Sequence, residues 1–177
     1  MDAILVVNAG SSSVKFQIFG IEKGHELRRL LKGQLDGIGS RPHLVATAAD
    51  KSTLIDQTYT VSSVPNVVAA IFVVADWLRQ TQSLTLLAVG HRVVHGGPEY
   101  DRPVIVDEAV VKTLDRYSSL APLHHPSNLA PIRSLLAKRP ELMQVACFDT
   151  AFHRGHDPVA DHFAIPETLL RGRRPAL

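Results

Sequence analysis

A short polar loop near the N-terminus has the composition of an anion-binding site. The segment Asn8–Lys15 (NAGSSSVK) follows an apolar run and precedes an alternating one. We expect Gly10 to allow a sharp turn, while the hydroxyls of Ser11 and Ser13 and the backbone N–H groups of the loop donate to a phosphate. Lys15 would add positive charge. The spacing is not that of a Walker A loop, which leads into a helix, and a ligand-free serine-rich turn is an equally good interpretation of the composition.

A second segment, His91–Gly97 (HRVVHGG), combines two histidines with an arginine. His91 and His95 have the i, i+4 spacing of a zinc-protease helix, but Arg92 stands where the general-base glutamate is needed and two glycines disfavour a helix. A metal-dependent hydrolase is therefore a weak alternative. Arg92 suits a bidentate grip on a carboxylate or phosphate, unless it is a surface arginine paired with an acidic neighbour.

A third segment, Leu120–Asn128 (LAPLHHPSN), contains paired histidines between prolines. Its composition predicts a rigid loop before a helix that begins at Ser127 or Asn128. His124 or His125 could donate to an anion, and at least one of them is expected to be buried against backbone instead. Leu123 could line an apolar pocket.

A carboxylate follows the last apolar run of the chain. Asp149 comes directly after Val145–Phe148, which we interpret as a strand, and α/β folds place catalytic groups at such strand ends. A carboxylate there can hold Mg²⁺ or accept a proton, although a helix N-cap is an equally good interpretation. We expect the neighbouring Cys147 to pack in the core.

Hydrophobic periodicity predicts the elements that position these segments. The apolar run Ala3–Val7 predicts a strand covered on both faces, and the alternating run Val14–Phe19 predicts its hairpin partner. Further strands are predicted over 26–35, 44–48, 55–61 and 86–89. Helices are predicted over 66–80, capped by Ser62 or Ser63, over 108–118, capped by Asp107, and up to Lys138. Antiparallel strands followed by alternating helices and strands indicate an α/β domain with a mixed sheet.

Composition narrows the class of protein. The chain has 177 residues, 45% hydrophobic and 20% charged, with a net charge of +2, so no strong positive field favours nucleic acid. Its single cysteine excludes an intramolecular disulfide. No apolar run reaches the length of a membrane span, and the first residues do not have the pattern of a signal peptide. We therefore expect a cytoplasmic protein that binds neither membrane nor nucleic acid.

The four segments together supply the parts of a phosphoryl-transfer site: an anion-binding loop, an arginine, a histidine donor and a carboxylate. They also resemble the acetate kinase (acetokinase) family. The resemblance rests on VVNAGSSSVKF, GHRVVHGG, APLHHPSN and CFDTAFH, which occur in the family's order. It implies an actin/hexokinase/Hsp70-like (ribonuclease H-like) α/β lobe whose mixed β-sheet is flanked by helices. It also implies transfer of phosphate from ATP to acetate with Mg²⁺ (or Mn²⁺), in an enzyme whose full-length relatives are homodimers.

The resemblance assigns one group of residues to ATP and the metal. Asn8 matches an asparagine that helps to hold Mg²⁺, and Lys15 matches a lysine that contacts ATP. Ser11 and Ser13 match residues of the phosphate loop.

A second group is assigned to the carboxylate substrate and the transferred phosphoryl group. Arg92 matches the arginine that grips both, while His124 and Asp149 match the family's catalytic histidine and essential acidic residue. Val94 and Leu123 match the small apolar pocket for the acyl methyl group.

The sequence departs from the family's pattern at two places. His125 stands where many members have asparagine. The chain ends RGRRPAL, residues 171–177, where the family continues into GFHGTSH and a second lobe. The resemblance therefore implies that residues 1–177 form a single N-terminal lobe without the second lobe. The alternatives that remain are a propionate or butyrate kinase of the same family and an isolated lobe without catalytic activity.

Overall fold

The computed structural model of the chain describes residues 1–119, 122 and 124–152, and its centre is an eight-stranded mixed sheet. The strands occur in the order β5-β4-β3-β2-β1-β6-β8-β7 across the sheet. Their bounds are Asp2–Ala9 (β1), Ser13–Ile21 (β2), Leu27–Asp36 (β3), His43–Ala48 (β4), Thr53–Thr58 (β5), Thr85–Val93 (β6), Val104–Ile105 (β7) and Met143–Phe148 (β8). A 3-10 turn, Lys23–His25, joins β2 to β3.

Two kinds of strand pairing meet at β1. Strands β1 to β5 form an antiparallel meander, whereas β1, β6 and β8 pair in parallel, and the short β7 is antiparallel to β8. The carboxyl ends of three neighbouring parallel strands therefore lie at one edge of the sheet. The α/β class and the mixed sheet are as the sequence predicted.

Four helices complete the described part of the chain: α1 (Val67–Thr81), α2 (Glu108–Asp115), α3 (His125–Lys138) and α4 (Asp149–Phe152). The apolar stripe of α1 packs on β1 and β2, where Trp77 meets the edge of Phe16, and α2 and α3 pack over β6 and β8. We call the side of the sheet under α1, α2 and α3 the closed face; Leu5, Val7 and His91 belong to it.

The opposite side is called the open face, and it carries Val6, Asn8, Lys15, Arg92 and Cys147. Val6 is 39% exposed while its neighbour Val7 is 2% exposed. The prediction that β1 is covered on both faces is therefore wrong, because the described helices all pack on the closed face.

The predicted cap of α1 and the predicted start of α3 are also wrong. Asn66, not Ser62 or Ser63, caps α1 by accepting from the Ala69 N–H at 3.0 Å. The two serines instead bond to the hydroxyl of Thr60 in the preceding turn.

Helix α3 begins at His125, two or three residues before the predicted start. The reason is local: Pro126 lies in the first turn, where its missing N–H has no intrahelical partner to lose. The predicted cap of α2 is confirmed, since the Asp107 carboxylate accepts from Val110 N at 2.7 Å. No helix among residues 1–119, 122 and 124–152 is both long and apolar enough to cross a membrane.

Candidate functional site

Three predicted site residues converge at the carboxyl edge of β1, β6 and β8. Asn8 lies one residue past the last β1–β6 ladder pair, which joins Val7 to His91. Arg92 is the next residue on β6, and Asp149 follows the last residue of β8. Adjacent parallel strands thus bring together an amide, a guanidinium and a carboxylate that are far apart in the sequence.

Arg92 is the centre of this cluster. Its Nε donates to Asp149 Oδ1 at 2.9 Å and its second terminal nitrogen donates to Asp149 Oδ2 at 2.5 Å, which forms a bidentate pair. The remaining nitrogen donates to Asn8 Oδ1 at 3.3 Å. The hydrogen bond to Asp149, together with the charge of that carboxylate, raises the pKa of Arg92. Arg92 is therefore paired with an acidic side chain, and that side chain is itself a predicted site residue.

Lys15 extends the positive charge along the open face. It lies directly across the β1–β2 ladder from Asn8 and is exposed. Together with Asn8, Gln17 and Lys32 it lines a groove of about 510 Å³ that crosses the meander strands. The groove begins beside the Arg92 cluster, so a polyanion held at Asn8 would lie next to the charge of Lys15.

The loop between β1 and β2 is a tight hairpin connection. Gly10 N donates to Ser13 O at 2.8 Å, and Ile38 N donates to Ser12 O at 3.1 Å, which anchors the loop to the chain that follows β3. Ser11 is exposed and Ser13 is half-buried. The sharp turn is present, but the backbone of Gly10 does not have a positive φ and a Cβ there would make ordinary contacts, so the turn does not require glycine.

The two histidines of the third segment have different surroundings. His125 is fully buried in the first turn of α3, where Nε2 donates to Leu114 O at 2.8 Å, and burial lowers its pKa. This confirms that one of the pair is buried against backbone. His124 is the exposed N-cap of α3 and is not part of the Arg92 hydrogen-bonded cluster. Leu123 lies outside the described residues.

The chain that follows β6 is tied to the rest of the site by side chains. Val94, half-buried, donates its N–H to Asn128 Oδ1 at 3.0 Å, and Gly96 N donates to the hydroxyl of Thr150 at 3.1 Å. Gly97 has φ +64°, and a Cβ at that position would overlap the Tyr117 ring at 2.2 Å. Only glycine fits at position 97, because both the positive φ and the Tyr117 ring disfavour a side chain there.

Two buried polar groups next to the site did not follow from the sequence motifs. Asn128 bonds to the ends of β1 and β6 at once, a contact that only tertiary structure creates. His91 donates from Nε2 to Gln144 Oε1 at 2.9 Å on the closed face, and burial lowers its pKa to about 4. For His91, the alternation of side chains along β6 could have predicted the different environment, because it places His91 and Arg92 on opposite faces of the sheet.

Cys147 is also on the open face, as the register partner of Arg92. It is exposed, so the prediction that it packs in the core is wrong. The reason is the same alternation: the closed face of β8 takes Ala146 and Phe148, which are buried.

The oxygen donors of the cluster suit a hard divalent cation. Asn8 Oδ1 and the Asp149 carboxylate contact the same guanidinium, so both are directed to one small region. Mg²⁺ typically takes one or two protein carboxylates and fills its other positions with phosphate oxygens and water. Among residues 1–119, 122 and 124–152 there is no group of three or more His, Cys, Asp or Glu side chains that could hold a metal. An amide oxygen and a carboxylate are donors of the kind that Mg²⁺ takes from a protein.

Comparisons with known proteins identify the family of the chain. The model of the acetokinase family matches residues 3–173. The acetate kinase of Nitrobacter hamburgensis is 62% identical over 166 residues, which cover 94% of this chain and 41% of that protein. The acetate kinase of Rhizobium meliloti is 56% identical over 169 residues, covering 96% and 43%.

Solved structures show the same relationship. A propionate kinase from Francisella tularensis superposes with a TM-score of 0.79 at 31% identity, covering 97% of this chain and 43% of that one. The acetate kinase of Porphyromonas gingivalis also superposes with a TM-score of 0.79, at 27% identity, covering 99% and 45%. The chain thus spans less than half the length of these relatives. The matched motifs, the fold and the family model together show that this chain belongs to the acetokinase family.

Proposed function

We propose that residues 1–177 form a single N-terminal lobe of a kinase that transfers the γ-phosphoryl group of ATP to acetate, giving ADP and acetyl phosphate. The observation that carries the proposal is the convergence of Asn8, Arg92 and Asp149 at the carboxyl edge of three parallel strands, with Lys15 beside them. The activities of the relatives, which are acetate and propionate kinases, are consistent with it.

Arg92 has the central role in the proposed mechanism. An acetate oxygen attacks the γ-phosphorus in line, a new O–P bond forms, and the bond from the γ-phosphorus to the β–γ bridging oxygen breaks as ADP leaves. The guanidinium orients the carboxylate and stabilises the charge that spreads over the equatorial oxygens. Asp149 holds that guanidinium by two hydrogen bonds, which fixes its plane before substrate arrives.

The phosphates of ATP would contact a second group of side chains on the same face. Lys15 and the hydroxyls of Ser11 and Ser13 lie at the β1–β2 hairpin end, next to Asn8. Their role is to bind phosphate oxygens by charge and hydrogen bonds.

Asn8 and Asp149 would hold Mg²⁺ (or Mn²⁺). When bound, the cation neutralises phosphate charge. Both side chains are oxygen donors already directed to one point by Arg92, and this arrangement supports the assignment.

Substrate selection and the histidine donor complete the proposal. Val94, two residues past Arg92, would form part of the acyl pocket with Leu123. His124 would donate to the transferring group from the start of α3. Because one solved relative is a propionate kinase, the second candidate substrate is propionate, which needs space for one more methylene group.

The test is acyl phosphate formation by this chain, trapped with hydroxylamine, with ATP and acetate, propionate or butyrate. We expect hydroxamate from the wild-type chain and a loss of about 10²–10³ in turnover for Arg92→Ala. Arg79→Ala is the matched control, since Arg79 is an exposed arginine that also pairs with an aspartate, Asp76, at 3.0 Å. Hydroxamate at equal rates from Arg92→Ala would contradict the assignment. No hydroxamate from the wild-type chain would favour the inactive isolated lobe.

A further inference from the structure

Asn128 is a buried polar side chain that contacts both strand ends of the site. It is 5% exposed and lies in the first turn of α3, on the closed-face side. Its Nδ2 donates to Ala9 O at 2.6 Å, and its Oδ1 accepts from Val94 N at 3.0 Å. One planar carboxamide thus joins β1, β6 and α3.

These contacts occur beyond the last ladder pair between β1 and β6. The β1–β6 ladder ends at Val7 and His91, one residue before Asn8 and Arg92. Beyond that point Asn128 adds a second cross-link to the one between Arg92 and Asn8, because Ala9 directly follows Asn8 and Val94 lies two residues after Arg92. The amide therefore lies between the backbone segments that present the phosphate loop and the arginine.

The position of Asn128 is itself rigid. Its N–H closes the first turn of α3 by donating to His124 O at 3.0 Å. The neighbouring Leu129 is fully buried, and His125 anchors the same turn to Leu114 O. A buried amide is costly unless its donor and acceptor are both satisfied, and here each has a partner.

We propose that Asn128 is a positioning residue, whose carboxamide sets the distance between the phosphate loop after β1 and the Arg92 end of β6. The catalytic part of this inference rests on the proposed function. Only a side chain with one donor and one acceptor of this length makes both bonds. Aspartate keeps the acceptor for Val94 and loses the donor for Ala9, whereas alanine loses both.

The test measures solvent exchange of two hydrogens that Asn128 does not touch. These are Arg92 Nε–H, bonded to Asp149, and the Gly10 amide, bonded to Ser13 O. By NMR on the 177-residue chain, Asn128→Ala is expected to speed both exchanges at least tenfold. Asn128→Asp is expected to speed the exchange of Gly10 while leaving that of Arg92 within threefold.

The matched control is Asn66→Ala, which removes the side-chain hydrogen bond of an asparagine at the start of α1 and touches neither of the two reporter hydrogen bonds. It should leave both exchange rates unchanged. Equal rates in Asn128→Ala and wild type, or an increase shared by every amide of the β2–β3 ladder, would overturn the positioning role. Unfolding of both Asn128 variants while Asn66→Ala stays folded would overturn it as well, by assigning Asn128 to stability alone.

Turnover separates this inference from the proposed function. In the hydroxylamine assay, Asn128→Ala should lower kcat at least tenfold, with Asn66→Ala within twofold of wild type. An absence of hydroxamate from the wild-type chain would count against the proposed function, and the exchange measurements would still decide the role of Asn128. A kcat unchanged in Asn128→Ala would contradict the role in positioning.

Discussion

Neighbouring residues of one strand have opposite degrees of burial on the two faces of the sheet. His91 and Arg92 are adjacent on β6, but His91 is 3% exposed on the closed face and Arg92 is exposed on the open face. Burial lowers the pKa of His91 to about 4, so that the imidazole is neutral near pH 7, whereas Arg92 is charged and its bond to Asp149 raises its pKa further. The comparison teaches that the closed face buries its polar groups in the core, whereas the open face keeps its charged groups accessible.

The largest effect is expected from Asp149→Asn on the open face. The change keeps the shape of the side chain and removes the charge that orients Arg92. If the proposed function holds, turnover should fall about 10²-fold or more. The unfolding free energy should change by at most about 1 kcal/mol, because the two side chains are 50% and 37% exposed and such ion pairs contribute little.

Chemical denaturation and the hydroxylamine assay on the same samples check both halves of this prediction. Asp76→Asn, which breaks an exposed pair on α1, serves as the control for charge removal alone. A loss of stability comparable to that of a core variant would show that the open face is structural.

On the closed face we expect the reverse for Gln144→Leu. Gln144 is 1% exposed and accepts the Nε2 proton of His91, so its loss leaves a buried donor without a partner. The expected cost in unfolding free energy is about 1–3 kcal/mol, measured by urea denaturation. Gln34→Leu on the exposed surface of β3 is the matched control and should stay within about 0.5 kcal/mol of wild type. Equal effects from the two substitutions would remove the distinction between the faces.

The pH dependence of stability sharpens the same comparison. The folded chain keeps His91 neutral down to about pH 4, while an unfolded histidine takes up a proton near pH 6.5. The unfolded state thus binds more protons between these values, and stability is lost as the pH falls through that window. Between pH 7.5 and 5, His91 should contribute a loss of about 2 kcal/mol.

Unfolding curves of wild type and His91→Leu at both pH values isolate this contribution. His125, whose pKa burial also lowers, acts in the same direction in both proteins and cancels in the comparison. Identical pH slopes would mean that His91 is protonated inside the fold, contrary to its burial.

Much of the fold followed from local patterns in the sequence. The alternation of Val14–Phe19 gave β2 its closed and open sides, and an apolar run ending at Asp149 predicted a strand with a carboxylate at its end. The positions of Asn8, Arg92 and Asp149 at neighbouring strand ends then follow from parallel pairing. The candidate site residues themselves were named from the motifs and from the family resemblance.

The remaining features depend on contacts between different segments of the chain, which no local sequence pattern contains. An apolar run such as Ala3–Val7 shows that one face is buried and does not show whether the second is, so the coverage of Val6 was predicted wrongly. Ser62 and Ser63 do not cap α1, because their hydroxyls bond to the hydroxyl of Thr60. The contacts of Asn128 are with Ala9 and Val94, which are 119 and 34 residues away in sequence.

The smallest effect, on the free energy of unfolding, is expected from Val6→Thr. The matched variant for comparison is Val7→Thr. The two substitutions are nearly isosteric and occur on adjacent residues of β1, which differ in exposure, 39% against 2%. On the closed face the new hydroxyl has to be buried, which costs about 1–3 kcal/mol of unfolding free energy. On the open face it can bond to water, so the change should stay within about 0.5 kcal/mol. Urea denaturation of both variants at low and high protein concentration measures the difference. If Val6→Thr costs as much as Val7→Thr at either concentration, the open face is covered in solution, and its side chains cannot be the accessible surface that the proposed chemistry requires.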